Sequence, residues 1–310
     1  FCIFTLLLVI SPKLVFPDFY LLNDKGENSS KMIPFFSIIG GWWKYLFYIV
    51  MINFLGYRYS AKHEKKYFCL AILLFLFSTY LILGTSRWAI IFHFVVTFYL
   101  FRIIFDRTLV KKLLVFVPLF VCLFFLITIY KFQNDLGSDY SLINFADLFV
   151  SQLQDYFSGP SLIGHAIDMG HKYNITFETC WNDFVGAIPL LSKTVDQMNR
   201  TNILFNQYVI SPDTEWFTQI IPATGLGYIY FGSMFAPIFT VVFNILGLHF
   251  DYKLLNTSNL FVKYVLIYCS LWGGLSICFN TQIPFGNVVV YIFPLYLFYR
   301  LFSKLTIKLA

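Results

Sequence analysis

Charge is what this sequence has least of. Only 12% of its 310 residues are Asp, Glu, Lys or Arg, against about 25% in ordinary soluble domains. With 58% hydrophobic residues and a mean hydropathy of +0.71, that scarcity excludes both a water-soluble globular fold and a disordered chain. Familiar catalytic signatures are missing too. No Walker loop, GxGxxG, HExxH or GxSxG occurs, so an internal nucleotide site, a zinc protease and a hydrolase elbow have no support. Cysteine supplies no framework either: five of the six lie in apolar runs, Cys180 stands alone in a polar region, and no CxxC or CxxH spacing exists. The net charge of +6 is not gathered into a basic groove or stripe, so no nucleic acid is expected as a partner.

What the sequence does have is long apolar runs. A helix needs about 20 mostly apolar residues to cross the hydrocarbon core, where its backbone must satisfy its own hydrogen bonds. Eight runs qualify as candidates: Phe1–Phe16, Phe35–Tyr57, Tyr67–Leu83, Trp88–Phe105, Leu113–Tyr130, Gly225–Leu248, Leu260–Phe279 and Pro284–Phe302. The expected fold is an all-α polytopic membrane protein with about eight transmembrane helices. It divides into helices one to five over 1–130, a large polar segment over 131–218, and helices six to eight over 219–310. The chain opens on Phe1 in the middle of an apolar run, with no basic flank before it and no small-residue cleavage site after it. That reads as the surviving end of a spanning helix in an N-terminally truncated sequence rather than a signal peptide.

Alternating the loops across a bilayer sorts the charges. One side collects 13 of the 22 basic residues, among them Arg58, Lys62, Lys65, Lys66, Arg102, Arg107, Lys111 and Lys112, with only three of the 16 acids. The positive-inside bias assigns that side to the cytoplasm. The 131–218 segment and the turn at Gly84-Thr85-Ser86-Arg87 then face outward. Trp and Tyr near the ends of the runs, such as Trp42, Trp43, Tyr57, Trp88 and Trp216, suit interfacial anchors.

The outer segment is too apolar, at helical spacing, to be a linker. Phe145, Leu148, Phe149, Leu153, Tyr156 and Phe157 share one side of a helix over Asn144–Phe157, which predicts a helix lying in the membrane interface. Ser158-Gly159-Pro160 breaks it, and a short helix restarts over Ser161–Met169. Asn182–Ser192 and Asn199–Ser211 mix polar and apolar residues without a clear period. A compact helical cap over a cavity is expected.

Within that cap Ser161, His165 and Asp168 fall at i, i+4 and i+7. One straight helix directs them outward in parallel, whereas a triad needs convergence from separate elements, so they read as a polar helix face. Groups able to transfer a proton are His165, His171, Asp168, Glu178, Asp183 and Glu215, and spacing does not rank them. Arg87, set between two apolar runs, has two readings: a planar fork for phosphate oxygens, or an arginine snorkelling into headgroups. Lys172 and Arg200 are either solvated surface charges or partners of Arg87 around a diphosphate. Lys44, inside the second run, is a functional group or another snorkelling cation. Asn53, Asn244 and Asn280 are expected to bond between helices.

The order of these features resembles a known family. A span ends in Gly84-Thr85-Ser86-Arg87; a large outer segment carries Tyr156-Phe157-Ser158-Gly159-Pro160; Thr214-Glu215-Trp216 leads into Gly225-Leu226-Gly227-Tyr228-Ile229-Tyr230-Phe231-Gly232; a later span ends in Gly247-Leu248-His249-Phe250-Asp251-Tyr252. This is similar to the Wzy-type polymerases of bacterial O-antigen and capsular oligosaccharide repeat units. The resemblance implies a GT-C-like, metal-independent glycosyltransferase without cofactor, in the bacterial cytoplasmic membrane. It would join undecaprenyl-diphosphate-linked oligosaccharides at the outer face, alongside the flippase and chain-length regulator of its pathway. Arg87 matches the family's Ser-Arg position, and Arg200 matches in being an arginine of the outer segment. The resulting site is Arg87 and Arg200 as catalytic cations, His165 and Glu215 for proton transfer, Arg87 and Lys172 on the diphosphate, and Tyr156 and Trp216 on sugar rings. The ligase branch also uses a histidine in its last outer loop, and Asn280–Gly286 holds none. A transporter or flippase for the same lipid-linked sugars is the other class, and it would need a polar path through the membrane.

Overall fold

The computed structural model describes residues 34–82, 87–119, 121–122, 126, 159–173, 175, 177–188, 190–196, 198–209, 220–276 and 280–306. Among these residues every regular element is a helix. Four stretches are long and apolar enough to cross a membrane: Ile38–Lys62, Lys65–Ile82, Ser233–Asn256 and Gln282–Leu301. Trp88–Ile104 and Leu260–Gly274 are apolar but shorter; the latter covers about 22 Å at 1.5 Å per residue, less than the ~30 Å hydrocarbon core. The chain is a helical protein of membrane-spanning composition. The expected run at Phe1–Phe16 lies outside the described residues, as does part of Leu113–Tyr130. The described part of Leu113–Tyr130 opens as a 3-10 turn over Lys112–Val115.

The described residues fall into two compact units. The first holds those within Phe1–Leu142 together with Ser258–Tyr264. Its helices are α1 (Pro34–Lys62), α2 (Lys65–Ile82), α3 (Arg87–Ile104) and the short α4 (Arg107–Lys111). Helix α1 stops at His63, whose φ of 53° lies in the left-handed region while its N–H still reaches the Tyr59 carbonyl at 2.7 Å. Two residues then suffice to turn the chain into α2. Tyr48, Ile49, Ile52, Leu55 and Tyr59 form the inward stripe of α1, facing Phe68, Ala71, Phe75 and Ser78 of α2 and Phe92, His93, Val96, Leu100 and Phe101 of α3. Gly56 permits close approach, because a Cβ there would stand 2.8 Å from Ile104 Cγ2. The opposite faces expose Val50, Phe54, Leu70, Leu73, Phe77, Val95 and Ile103. Large apolar groups on the outside of a bundle are stable only against lipid or another protein surface. Asn53 donates to Ile49 of its own helix at 2.8 Å, so it is not the interhelical bond expected of it.

The second unit holds the described residues of Ile143–Thr257 and Val265–Ala310. Its helices are α5 (Gly159–Lys172), α6 (Phe177–Gly186), α7 (Thr201–Val209), α8 (Ala223–Phe231), α9 (Ile238–Asn256), the C-terminal part of α10 (Leu260–Gly274), α11 (Gln282–Asn287) and α12 (Phe293–Thr306). A π-turn over Val288–Ile292 links α11 to α12. Pro294 follows directly; it has no N–H for the preceding turn, and a widened turn absorbs that loss.

The sixth apolar run differs from expectation. Gly225–Leu248 is not one helix, because Gly232, at φ 77°, ends α8 and the membrane-length stretch starts at Ser233. The reason is packing. Leu162, Ala166 and Met169 of α5, Phe205 of α7, and Ile221 and Leu226 form one buried core. Helix α8 belongs to that core, and its glycines admit its neighbours: a Cβ on Gly225 would stand 2.9 Å from Ala166 Cβ, and one on Gly227 would stand 2.1 Å from the Ala236 carbonyl oxygen. By contrast, only 6% of the most apolar window of Ser233–Asn256 is buried.

Candidate functional site

The only acid of the second unit that is completely buried among the described residues is Asp183, on α6. Thr179, Asn182 and Asp183, at i, i+3 and i+4, form a polar stripe that points inward. Each member has a partner. Thr179 Oγ1 donates to Asn199 Oδ1 at 3.0 Å, and Asn182 Nδ2 donates to the Asn199 carbonyl at 3.3 Å. Asp183 Oδ1 accepts the Thr201 backbone N–H at 3.0 Å, and its Oδ2 accepts the Tyr230 hydroxyl. The Thr201 and Tyr230 hydroxyls meet at 2.8 Å.

This knot solves a local problem of α7. Arg200 occupies its N-cap position, with its carbonyl accepting from the Ile203 and Leu204 amides, but an arginine side chain cannot accept a bond from the free amides of the first turn. The carboxylate of Asp183 does so from the neighbouring helix, where a negative charge also suits the helix dipole.

The same carboxylate fixes a cation. Arg200 Nε stands 3.7 Å from Asp183 Oδ1, with the arginine side chain 18% exposed and the aspartate fully covered. The guanidinium packs over Gly186, where a Cβ would stand 3.3 Å from both Cζ and Nε. Burial pushes the Asp183 carboxyl above the usual carboxylate range, and the hydrogen bonds from Thr201 and Tyr230 and the nearby charge of Arg200 offset that only in part. With the Thr201 amide and the Tyr230 hydroxyl bonded to it and Arg200 alongside, this carboxylate is occupied as a brace rather than free as a base. Burial, with Asp183 close by, raises the Cys180 thiol to about 11, so it carries no thiolate at neutral pH.

A second basic and aromatic group closes the end of α5. The Lys172 ammonium lies over the rings of Tyr173 (5.5 Å) and Tyr208 (5.2 Å), and His171 Nε2 stands 3.3 Å from the Tyr228 hydroxyl. All of these belong to the same unit as Arg200.

The expected site residues divide as follows. Arg200 is held in the knot, and Lys172 is exposed at the end of α5. His165 is exposed on α5, on the same outward face as Ser161 and Asp168, and the three side chains do not converge. Arg87 opens α3, but its side chain lies outside the described residues, as do Tyr156, Glu215 and Trp216. Asn280, expected to bond between helices, instead joins two non-helical residues by accepting the Ile221 N–H at 2.6 Å, and Asn244 is exposed. Among the described residues no three His, Cys, Asp or Glu side chains form a metal-ligand group.

Sequence reasoning missed the partners of Arg200. Asp183 stood only among several proton-transfer candidates, while Thr201, Tyr230 and Gly186 were not singled out. A signal existed: Thr179, Asn182 and Asp183 share one helical face, and Phe177 and Trp181 share another.

A polar cluster inside the first unit also went unnoticed. His93, fully buried on α3, meets Ser78 Oγ through Nε2 at 2.7 Å, and Tyr48 donates to Thr97 at 2.7 Å. Ser78 spends its single hydroxyl proton on the Phe75 carbonyl at 2.9 Å. Nε2 of His93 is therefore the protonated donor, leaving Nδ1 as a buried acceptor with no hydrogen-bond partner among the described residues. The Tyr48 and Phe75 rings pack against the imidazole at 4.6 and 5.6 Å.

Compared with known proteins, the chain matches no family model, no curated protein and no solved structure.

Proposed function

We propose that this protein is a glycosyltransferase of the Wzy-polymerase type. It lengthens polysaccharide by joining undecaprenyl-diphosphate-linked oligosaccharide units at the outer face of the bacterial cytoplasmic membrane. The observation that carries the proposal is the braced guanidinium of Arg200, held by Asp183 and seated on Gly186 within a chain of membrane-length helices. In the reaction, the bond between the anomeric carbon and the diphosphate oxygen of the growing chain breaks. A hydroxyl of the incoming unit forms the new glycosidic bond, its proton passes to a base, and undecaprenyl diphosphate leaves. Negative charge builds on the departing diphosphate, and a cation already fixed in place stabilises it without reorganising. Arg200 fills that role with Lys172 of the same unit, and the Ser-Arg resemblance puts Arg87 forward as a further cation for the diphosphate. His165 and Glu215 are the proton acceptors put forward, and Tyr156 and Trp216 offer faces to sugar rings. Neither a metal nor a nucleotide sugar takes part in this scheme.

The test is reconstitution of the full-length protein with purified lipid-diphosphate repeat units. The expected product is a ladder of polymers with release of undecaprenyl diphosphate, reduced about 10²–10³-fold by Arg200→Ala, the usual cost of losing one fixed transition-state donor. Arg200→Lys restores little, because a lysine lacks the planar fork. Units carried across the vesicle membrane without a ladder would instead support the transporter reading.

A further inference from the structure

Helix α6 is inside out for a helix in water. It buries Thr179, Asn182 and Asp183 and leaves Phe177 79% and Trp181 57% exposed. Phe177 and Trp181 are four residues apart and therefore share a face. A water-facing helix selects the reverse arrangement, and the neighbouring α5 has that reverse arrangement, burying Leu162, Ala166 and Met169 beneath exposed Ser161, His165 and Asp168.

The position of α6 indicates which medium covers its apolar face. Phe184, near its C-terminal end, is wedged between Phe239 (ring centroids 5.8 Å apart) and Phe285 (5.2 Å). Phe239 lies close to the start of the membrane-length stretch Ser233–Asn256, and Phe285 close to the start of Gln282–Leu301. The residue just past α6 is pinned again, where Gly286 leaves 2.9 Å between its own would-be Cβ and the Ala187 carbonyl oxygen. The helix is thus fastened at the level where two apolar stretches begin. Trp181 is three residues from Phe184, about 4.5 Å along the axis, so it stays near that level whatever the tilt. Phe231, Met234 and Phe235, at the head of Ser233–Asn256, are also exposed.

We infer that the Phe177–Trp181 face of α6 rests in the lipid bilayer at the interface, with lipid as its partner. Tryptophan suits that depth, having an apolar ring and one N–H to offer the headgroups. Glu178, exposed beside this face, lies at the headgroup border. The inference depends on the membrane character of the chain and is independent of glycosyl transfer.

The test uses the full chain in vesicles of phosphatidylcholine and phosphatidylglycerol, with bromine placed on the acyl chains near the glycerol or near the methyl end. Subtracting the emission of Trp181→Phe from that of the parent isolates Trp181. The expected result is loss of most of this difference emission with the shallow bromine, less with the deep one, and little with aqueous acrylamide. Strong quenching by acrylamide without quenching by bromolipid overturns the inference. Protection from both quenchers also overturns it, since the face is then covered by protein, such as a second copy of the chain. Adding Phe177→Trp to Trp181→Phe moves the reporter one turn along the face, and the same shallow quenching is expected there.

Discussion

Helices α5 and α6 are consecutive, similarly amphipathic and part of one compact unit, yet they are assembled with opposite faces inward. In α5 the covered face is Leu162, Ala166 and Met169; in α6 it is Thr179, Asn182 and Asp183. The contrast shows that amphipathicity fixes two unlike faces but not which one is buried. Each helix turns outward the face that suits the medium beside it. For α6, buried polar groups are tolerable because each has a partner from α7, α8 or the segment before them.

The largest effect that would sharpen this contrast comes from exchanging acids. Asp183→Ala removes the carboxylate that faces Arg200 and takes its acceptor from the Thr201 amide in a covered site, and a cost of about 3–5 kcal/mol is expected, as for other buried pairs broken on one side. Asp168→Ala on the outward face of α5 should stay within about 0.5 kcal/mol. Thermal unfolding of the two variants in detergent measures the difference, and equal losses would show that Asp183 braces nothing. Next in size is Met169→Ala, which empties a fully buried position of the α5 core and should cost about 2–5 kcal/mol. An unchanged unfolding temperature would place the core elsewhere.

A smaller effect is pH dependence. The native Asp183 carboxyl holds its proton more tightly than the unfolded chain does. Its contribution to stability therefore falls as pH rises from the ordinary aspartate range to its raised native value, and is flat above that. Asp183→Asn should remove this slope from a plot of unfolding temperature against pH, and parallel plots for parent and variant would contradict the assignment. The smallest effect expected is that of Lys172→Ala. It loses two ring contacts at the surface, worth about 0.5–1 kcal/mol at such exposed sites, and the same unfolding measurement reads it.

Much of the fold could be read from composition. The runs at Phe35–Tyr57, Tyr67–Leu83 and Pro284–Phe302 correspond to membrane-length helices, and the Ser158-Gly159-Pro160 break falls where α5 begins. The run at Gly225–Leu248 was misread because hydropathy does not distinguish a helix buried in protein from one facing lipid. Leu226 and Ile221 are as apolar as Val241 and Ile245, but the first pair lies in a core and the second is exposed. The site was partly readable. Arg200 is legible as an arginine of the outer segment, whereas its pairing with Asp183 is not, because pairing across 17 residues is set by tertiary packing. Asn182–Ser192 has no clear period, and the first half of α6 precedes it; the polar stripe of Thr179, Asn182 and Asp183 is the stronger signal. His93 escaped notice for the converse reason, since one histidine within an apolar run leaves no pattern.

The central claim is that neighbouring helices of one segment face different media. Single cysteines at the two outward faces test it most directly, read against the background of the unsubstituted chain in membranes. With a water-borne, membrane-impermeant maleimide, His165→Cys on α5 should label readily and Phe177→Cys on α6 should resist until detergent is added. Equal and rapid labelling at both positions would contradict the account.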